Sequence, residues 1–96
     1  MTKMKVWNSI NDEYDYHVIE VKPEFLEILK ILNIPDDYPN TSSSEISKKL
    51  NIPGRKTAGI ISSMQYYKLI KFDGYCRKYT LYRITELGRE NLCDLK

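Results

Sequence analysis

The chain has 96 residues, 42% of them hydrophobic and 29% charged, with a formal charge of +2. That length suits one domain, that balance belongs to a folded soluble protein rather than a disordered tail, and no apolar run approaches the ~18 residues of a membrane span. The near-neutral total hides a split. Nine of the fifteen Lys and Arg fall between Lys48 and Arg83 with only Asp73 among them, a net +8, so the remainder carries −6. Cations clustered without local counter-charge repel one another in the folded state, and such a cluster usually exists to meet an anion.

The N-terminus has Lys3 and Lys5 but no apolar segment of the secretory kind, which predicts a cytoplasmic protein with no membrane contact. Cys76, Cys93 and His17 stand far apart, in no Cys-x-x-Cys or His-x-x-x-His spacing, so neither a metal site nor a cofactor is expected. Free thiols are the default for a cytoplasmic chain, although spacing alone leaves a Cys76–Cys93 bridge open. Most of the eight tyrosines are expected half-buried, ring in and hydroxyl out.

Residues 1–21 form an N-terminal extension. Tyr14, Tyr16 and Val18 alternate with Asp15, His17 and Ile19, a period of two that predicts a strand, with His17 a structural member of it. Asn11-Asp12 can turn that strand back on Met4–Ser9 as a hairpin. A helix through Val6, Ile10 and Tyr14 is the competing reading, and the hairpin is preferred. Helix 1 spans 22–34: Pro23 suits the first turn, Phe25, Ile28, Leu29 and Leu32 make the apolar stripe, and Asn33 with Pro35 stop it. Leu26 and Ile31 flank the stripe, so the helix is greasier than one core face requires. Either the N-terminal segment or a second subunit is expected to cover the excess.

A helix-turn-helix pattern occupies 43–67. Ser42-Ser43-Ser44-Glu45 has the Ser-x-x-Glu form of a capping box opening helix 2, with Ile46 and Leu50 inward and Lys48 and Lys49 outward. Asn51-Ile-Pro-Gly makes the turn, with Ile52 as its buried plug. Helix 3 runs from about Arg55 to Tyr67. At 100° per residue Thr57, Ile60, Ile61, Met64 and the stem of Lys68 share one face. Arg55, Gly59, Ser62 and Tyr66 line the opposite side with Lys56 and Ser63 beside them, a face with no acid on it. Residues 69–84 read as two antiparallel strands, a wing, with Cys76, Arg77 and Lys78 at the tip. Thr85 can cap a last helix over 86–95 whose apolar side chains are Leu87, Leu92 and Leu95.

Three segments resemble the winged helix-turn-helix superfamily, in particular small prokaryotic, archaeal or viral regulators of the MarR and PadR kind. Ser44-Glu-Ile-Ser-Lys-Lys-Leu-Asn-Ile-Pro is similar to the family's second helix and turn. Lys56-Thr-Ala-Gly-Ile-Ile-Ser-Ser-Met-Gln-Tyr-Tyr-Lys-Leu-Ile-Lys is similar to its recognition helix running into the first wing strand. Leu81-Tyr-Arg-Ile-Thr-Glu-Leu-Gly-Arg-Glu is similar to the second wing strand and the start of the last helix. Together they cover Ser42–Glu90, about half the chain, in the right order. One departure stands out: Lys68 sits where a glycine is common before the Leu-Ile pair. The resemblance implies an α+β fold, a three-helix core with a two-stranded β wing, to which this chain adds the hairpin and a short C-terminal helix.

It also implies double-stranded DNA as the partner and transcription regulation as the function. In helix-turn-helix docking the second helix lies in the major groove, its early residues on base edges. Arg55 can donate a bidentate pair to guanine, Lys56 can reach a base or a phosphate, and Gly59 leaves room for close approach. Ser62, Ser63 and Tyr66 can bond phosphates or bases. Ser44, Lys48 and Lys49 suit backbone contacts, and Arg77 and Lys78 suit the backbone or a narrow minor groove. Lys71 and Arg83 fit a surface or cross-strand role as well as DNA contact. A homodimer is expected, matching palindromic sites. The alternative is a winged helix used for protein contact in an assembly, which usually lacks so cationic a helix and wing. An enzyme is not expected, because no nucleophile triad, P-loop or carboxylate pair is readable. Tyr66 or Tyr67 could suggest a topoisomerase nucleophile, but such enzymes need a metal-binding partner domain for which this length leaves no room.

Overall fold

The computed structural model describes residues 2–10, 12–33 and 41–93. In chain order come β1 (Thr2–Ile10), β2 (Glu13–Val21), α1 (Pro23–Leu32), a two-residue strand β3 (Thr41–Ser42), α2 (Ser43–Leu50), α3 (Gly54–Tyr66), β4 (Ile70–Cys76), β5 (Tyr79–Ile84) and α4 (Glu86–Cys93). This is the α+β winged helix-turn-helix expected, with the N-terminal extension a hairpin rather than a helix. Asn11, Pro35 and Leu95, to which roles were given above, lie outside the described residues.

β1 and β2 pair without interruption from Thr2 opposite Val21 to Ile10 opposite Glu13. The chain enters β2 through Asp12 at φ 64°, a left-handed conformation that Asp tolerates better than most residues. Alternation sends Met4 and Val6 into the core, and Ile19 and Val21 pack against it from the facing strand. His17 is half-buried on that same side, and its Nε2 has no hydrogen-bond partner among the described residues. The outer edge of β1 is tied down by a residue with no visible role in the sequence. Asn91, buried on α4, accepts from the Lys5 N–H (2.8 Å) and donates to the Lys5 carbonyl (2.8 Å) and to Leu87 O (3.0 Å). Farther along, Trp7 N–H donates to Tyr67 O at 3.1 Å.

The core gathers the apolar stripe of every helix: Phe25, Ile28, Leu29 and Leu32 from α1, Ile46 from α2, Ile60, Ile61 and Met64 from α3. Thr57 is buried with them and returns its hydroxyl to Pro53 O (3.2 Å). Leu26 and Ile31 are half-buried against this same core, so α1's excess is absorbed within one chain. Ser42 caps α2 as its sequence promised, its Oγ accepting from Glu45 N–H at 3.2 Å.

The stem of Lys68 does not continue α3's inner face. The helix ends at Tyr66, and Lys68 is exposed at φ 63°. Lys68 N–H donates to Gln65 O (3.1 Å) and Leu69 N–H to Met64 O (3.0 Å), with Leu69 and Met64 both buried. That is a Schellman ending, with a lysine in the left-handed position that glycine usually fills. The glycine common at this place in the resembled pattern thus answers a backbone requirement, which Lys68 meets at a steric cost.

In the wing, Ile70, Lys71 and Phe72 face Ile84, Arg83 and Tyr82, but Tyr75 then faces Thr80. Asp73-Gly74 is therefore a β-bulge, with Gly74 at φ 95°. Cys76 belongs to β4, so the tip is the two residues Arg77 and Lys78 rather than three. β3 pairs with the far side of β5, Thr41 opposite Tyr82 and Ser42 opposite Leu81, making a three-stranded sheet where two strands were expected. Thr85 Oγ1 accepts from Gly88 N–H (3.1 Å) and so caps α4. A Cβ on Gly88 would run into the Leu69 carbonyl and the Ile84 side chain, so a side chain there is excluded by close packing of α4 on the wing's base. The tyrosines depart from expectation: Tyr14, Tyr16, Tyr66, Tyr75 and Tyr79 are exposed, and only Tyr67 and Tyr82 among those described are half-buried.

Two stability outcomes follow. Lys68→Gly should raise the unfolding free energy by up to about 1 kcal/mol in urea titration, since relief of the left-handed strain exceeds the added chain entropy. Asn91→Ala should lower it by about 1–3 kcal/mol, because both backbone groups of Lys5 lose their partner. Amide exchange at Lys5 should accelerate with it.

Candidate nucleic-acid interface

Because Thr57, Ile60, Ile61 and Met64 are buried, the opposite side of α3 must face water, and Arg55, Lys56, Gly59, Ser62, Ser63 and Tyr66 are all exposed. Arg55, Lys56, Gly59 and Ser63 line one wall of a cleft of about 390 Å³. Its other wall is the end of β2 and the start of α1, with Glu20, Lys22 and Phe25. Ser62 and Tyr66 lie outside that cleft, Tyr66 with its ring tilted on Tyr67 at 5.3 Å between centroids. Lys22 adds a cation that the sequence did not single out. The acid-free face holds for α3 alone: Glu24 on α1 approaches Lys56 Nζ to 3.6 Å. Both side chains are partly solvated, so this pair contributes little to stability and leaves Lys56 able to exchange partners.

Gly59 has open space where a Cβ would stand. Glycine inside a helix costs about 1 kcal/mol relative to alanine. Nothing in the chain's own packing requires that cost. Ser63 Oγ donates back to Gly59 O at 3.3 Å, so its proton is engaged while its lone pairs face outward.

α2 joins this face to the wing. Ser44 and Lys48 line one groove with Gly54, at the start of α3, and another with Tyr79, beside the wing tip. Glu45 shares the second groove, so the rim is cationic but not free of acid. Lys49 is exposed on the same helix. At the tip, Arg77 has φ 58° in a two-residue turn, the first central position of a turn type in which glycine is usual. Lys78 Nζ lies 5.8 Å over the Tyr79 ring.

Arg83 resolves toward structure. Its Nε and Nη2 each reach Asp73 Oδ2 at 3.2 Å, a cross-strand pair that answers the one acid in the basic stretch. Lys71, opposite it in register, is exposed. The bulge brings Tyr75 to the side of Phe72, their rings edge to face at 5.1 Å. Tyr82 completes this aromatic face, and burial, with Tyr75 as a second cause, pushes its hydroxyl pKa above the usual value. These aromatics were not singled out from sequence; Gly74, a possible bulge marker, was the available signal. Among the described residues no three His, Cys, Asp or Glu gather into a metal site, and no helix is long and apolar enough to cross a membrane.

No protein-family model matches the sequence, and no curated protein matches it. Solved structures do match. The adhesin competence repressor AdcR of Streptococcus pyogenes superposes with a TM-score of 0.66 at 17% identity, over 78% of this chain and 55% of that one. A MepR-like protein crystallised with pseudoligands gives 0.64 at 21%, over 77% and 51%. A ZitR variant of Lactococcus lactis gives 0.58 at 17%, over 80% and 59%. The chain thus spans between 51% and 59% of the length of these three proteins. At such identities the likeness establishes architecture alone: the chain shares the winged helix-turn-helix fold of these three structures.

Proposed function

We propose that the protein binds duplex DNA sequence-specifically as a transcriptional regulator, α3 reading the major groove and the wing meeting backbone or minor groove. The observation that carries this is a run of donors linked by two grooves along α2: exposed Arg55 follows Gly54 in one, half-buried Ser44 and exposed Lys48 line both, and exposed Lys78 precedes Tyr79 in the other. It follows the order in which a helix-turn-helix and its wing meet a duplex. Arg55 donates to a guanine edge from the first turn of α3. Gly59 admits the groove wall closely, Lys56, Ser62, Ser63 and Tyr66 bond bases or phosphates, and Ser44, Lys48 and Lys49 fix the backbone. Arg77 supports the same reading, since an arginine held where glycine is easier argues for a use of its side chain. The protein acts by binding, not catalysis, as a homodimer in the cytoplasm. The second reading, a winged helix that contacts protein, is favoured by the exposed wing aromatics Phe72 and Tyr75 and predicts weak, salt-indifferent DNA binding.

Competition titrations on preferred and scrambled duplexes separate the roles. Arg55→Ala should cost about 1–3 kcal/mol on the preferred site and little on scrambled DNA. Arg77→Ala with Lys78→Ala should weaken all duplexes alike and flatten the salt dependence, which for about 6–10 phosphate contacts is a loss of ~10³–10⁵ in affinity between about 50 and 200 mM salt. An unchanged ratio of preferred to scrambled binding in Arg55→Ala would remove α3 as the reader.

Gly59 gives an independent check with opposed signs. Gly59→Ala should stabilise the fold by about 0.5–1 kcal/mol in thermal unfolding while weakening binding to the preferred duplex in the same titration. Unimpaired binding would mean that α3 does not approach the groove at this position.

A further inference from the structure

We propose that two copies of the chain associate through the outer edge of β2, joining their hairpins into one four-stranded antiparallel sheet. The inference rests on the homodimer in the reading above and gives it a surface. The hairpin's two edges are treated differently. Asn91 and the Tyr67 carbonyl occupy the outward backbone groups of β1 at Lys5 and Trp7. In an antiparallel pair, residues directly opposite either both turn their backbone groups toward each other or both turn them outward. Val18, opposite Lys5, and Tyr16, opposite Trp7, therefore aim N–H and C=O away from β1, toward the other edge. Among the described residues no backbone group meets them there, and Tyr16 N–H is held by the adjacent Asp15 carboxylate at 2.7 Å.

This edge runs for nine residues and carries no bulge, proline or lysine, three of the usual means by which proteins discourage strand addition. Its outward side chains Tyr14, Tyr16 and Val18 are 66%, 51% and 68% exposed. Trp7 continues the patch on β1, edge to face with Tyr16 at 5.1 Å.

The strand is complementary to itself. With a two-fold axis at His17, antiparallel pairing sets Tyr16 of each copy against Val18 of the other, Tyr14 against Glu20, and Asp15 against Ile19. Asp12, just before the strand, meets Lys22, just after it, once at each end. No like charges oppose, and the acidic start of one strand lies at the cationic end of the other. Moving the axis to Tyr16 would instead set Asp12 against Glu20. Because every pair forms twice from one sequence, a second copy is the occupant that satisfies the edge along its length.

The test is sedimentation velocity on the full chain without DNA, over a concentration series. Wild type should show a monomer–dimer equilibrium. Tyr16→Lys with Val18→Lys, and separately Tyr16→Glu with Val18→Glu, should each raise the dimer dissociation constant by about tenfold or more, while an equimolar mixture of the two restores a dimer. Val18→Pro removes an outward N–H that makes no bond within the hairpin, so it should weaken the dimer even if the charged variants fold poorly. Far-UV circular dichroism checks that the hairpin persists. A wild type that stays monomeric throughout overturns both the dimer and its surface. A wild type that dimerises while all variants remain equally dimeric, or a mixture that restores nothing, overturns the surface alone. DNA affinity enters none of these readouts, so failure of DNA binding is seen separately.

Discussion

One carbonyl oxygen, that of Leu69, anchors the arrangement. It accepts from the Thr85 N–H at 3.1 Å and lies 2.9 Å from Thr85 Oγ1, a hydroxyl that also stands 2.6 Å from Lys68 O and has a single proton to give to either carbonyl. The same hydroxyl receives Gly88 N–H, and the absence of a side chain on Gly88 lets α4 sit directly on this oxygen. The end of α3, the root of the wing and the first turn of α4 therefore meet at one point. A hydrogen bond removed from this part-buried junction would leave its partner short of a bond where water reaches only partly, which costs more than the bond's net contribution. Lys68 accepts a left-handed backbone so that this junction can form.

That junction fixes the angle between α3 and the wing, and hence the separation between Arg55 and Arg77 on the proposed DNA surface. The charge on that surface is lower than the residue count suggests. Asp73 answers Arg83 within the wing, Glu24 approaches Lys56, and Glu45 shares the groove of Lys48. Asp73 and Glu24 come from elements beside the cations they meet, and Glu45 from the same helix as Lys48. A field that is strong at Arg55, Arg77 and Lys78 and weaker between them favours a few directed contacts over uniform attraction.

The helices were legible because their period is local: the stripes at Phe25–Leu32 and Thr57–Met64 are read within a dozen residues, as is the cap at Ser42. The hairpin was legible from two-residue alternation, though only narrowly, since Val6, Ile10 and Tyr14 also fit a helix. What escaped depends on distant partners or on backbone geometry. Asn91 acts on Lys5 from the other end of the chain. β3 is two residues long, too short for any alternation, and exists because β5 offers it an edge. Lys68 departs from the resembled pattern in the sequence itself, but only its φ of 63° explains why glycine is usual there. For the site, exposure of the α3 residues follows from the buried stripe, whereas Lys22 and Glu24 join them only through folding. Tyr14 and Tyr16 are exposed, not half-buried, because His17, Ile19 and Val21 take the core side of the same alternation, and Tyr66 because it lies opposite the buried stripe of α3.

The bulge at Asp73-Gly74 has a consequence for how this sequence can change. Beyond it, Tyr75 stands on the side opposite to the one simple alternation would give, and the backbone leading to Arg77 is shifted by the same one residue. The number of residues between Phe72 and the tip is thereby fixed in its parity. Loss or gain of a single residue there would rotate Tyr75 away from Phe72 and Tyr82 and turn the cations at the tip over. Loss or gain of two would lengthen or shorten the wing and leave its sidedness intact. Among related chains, wings of different reach that keep these two faces should therefore differ by even numbers of residues in β4.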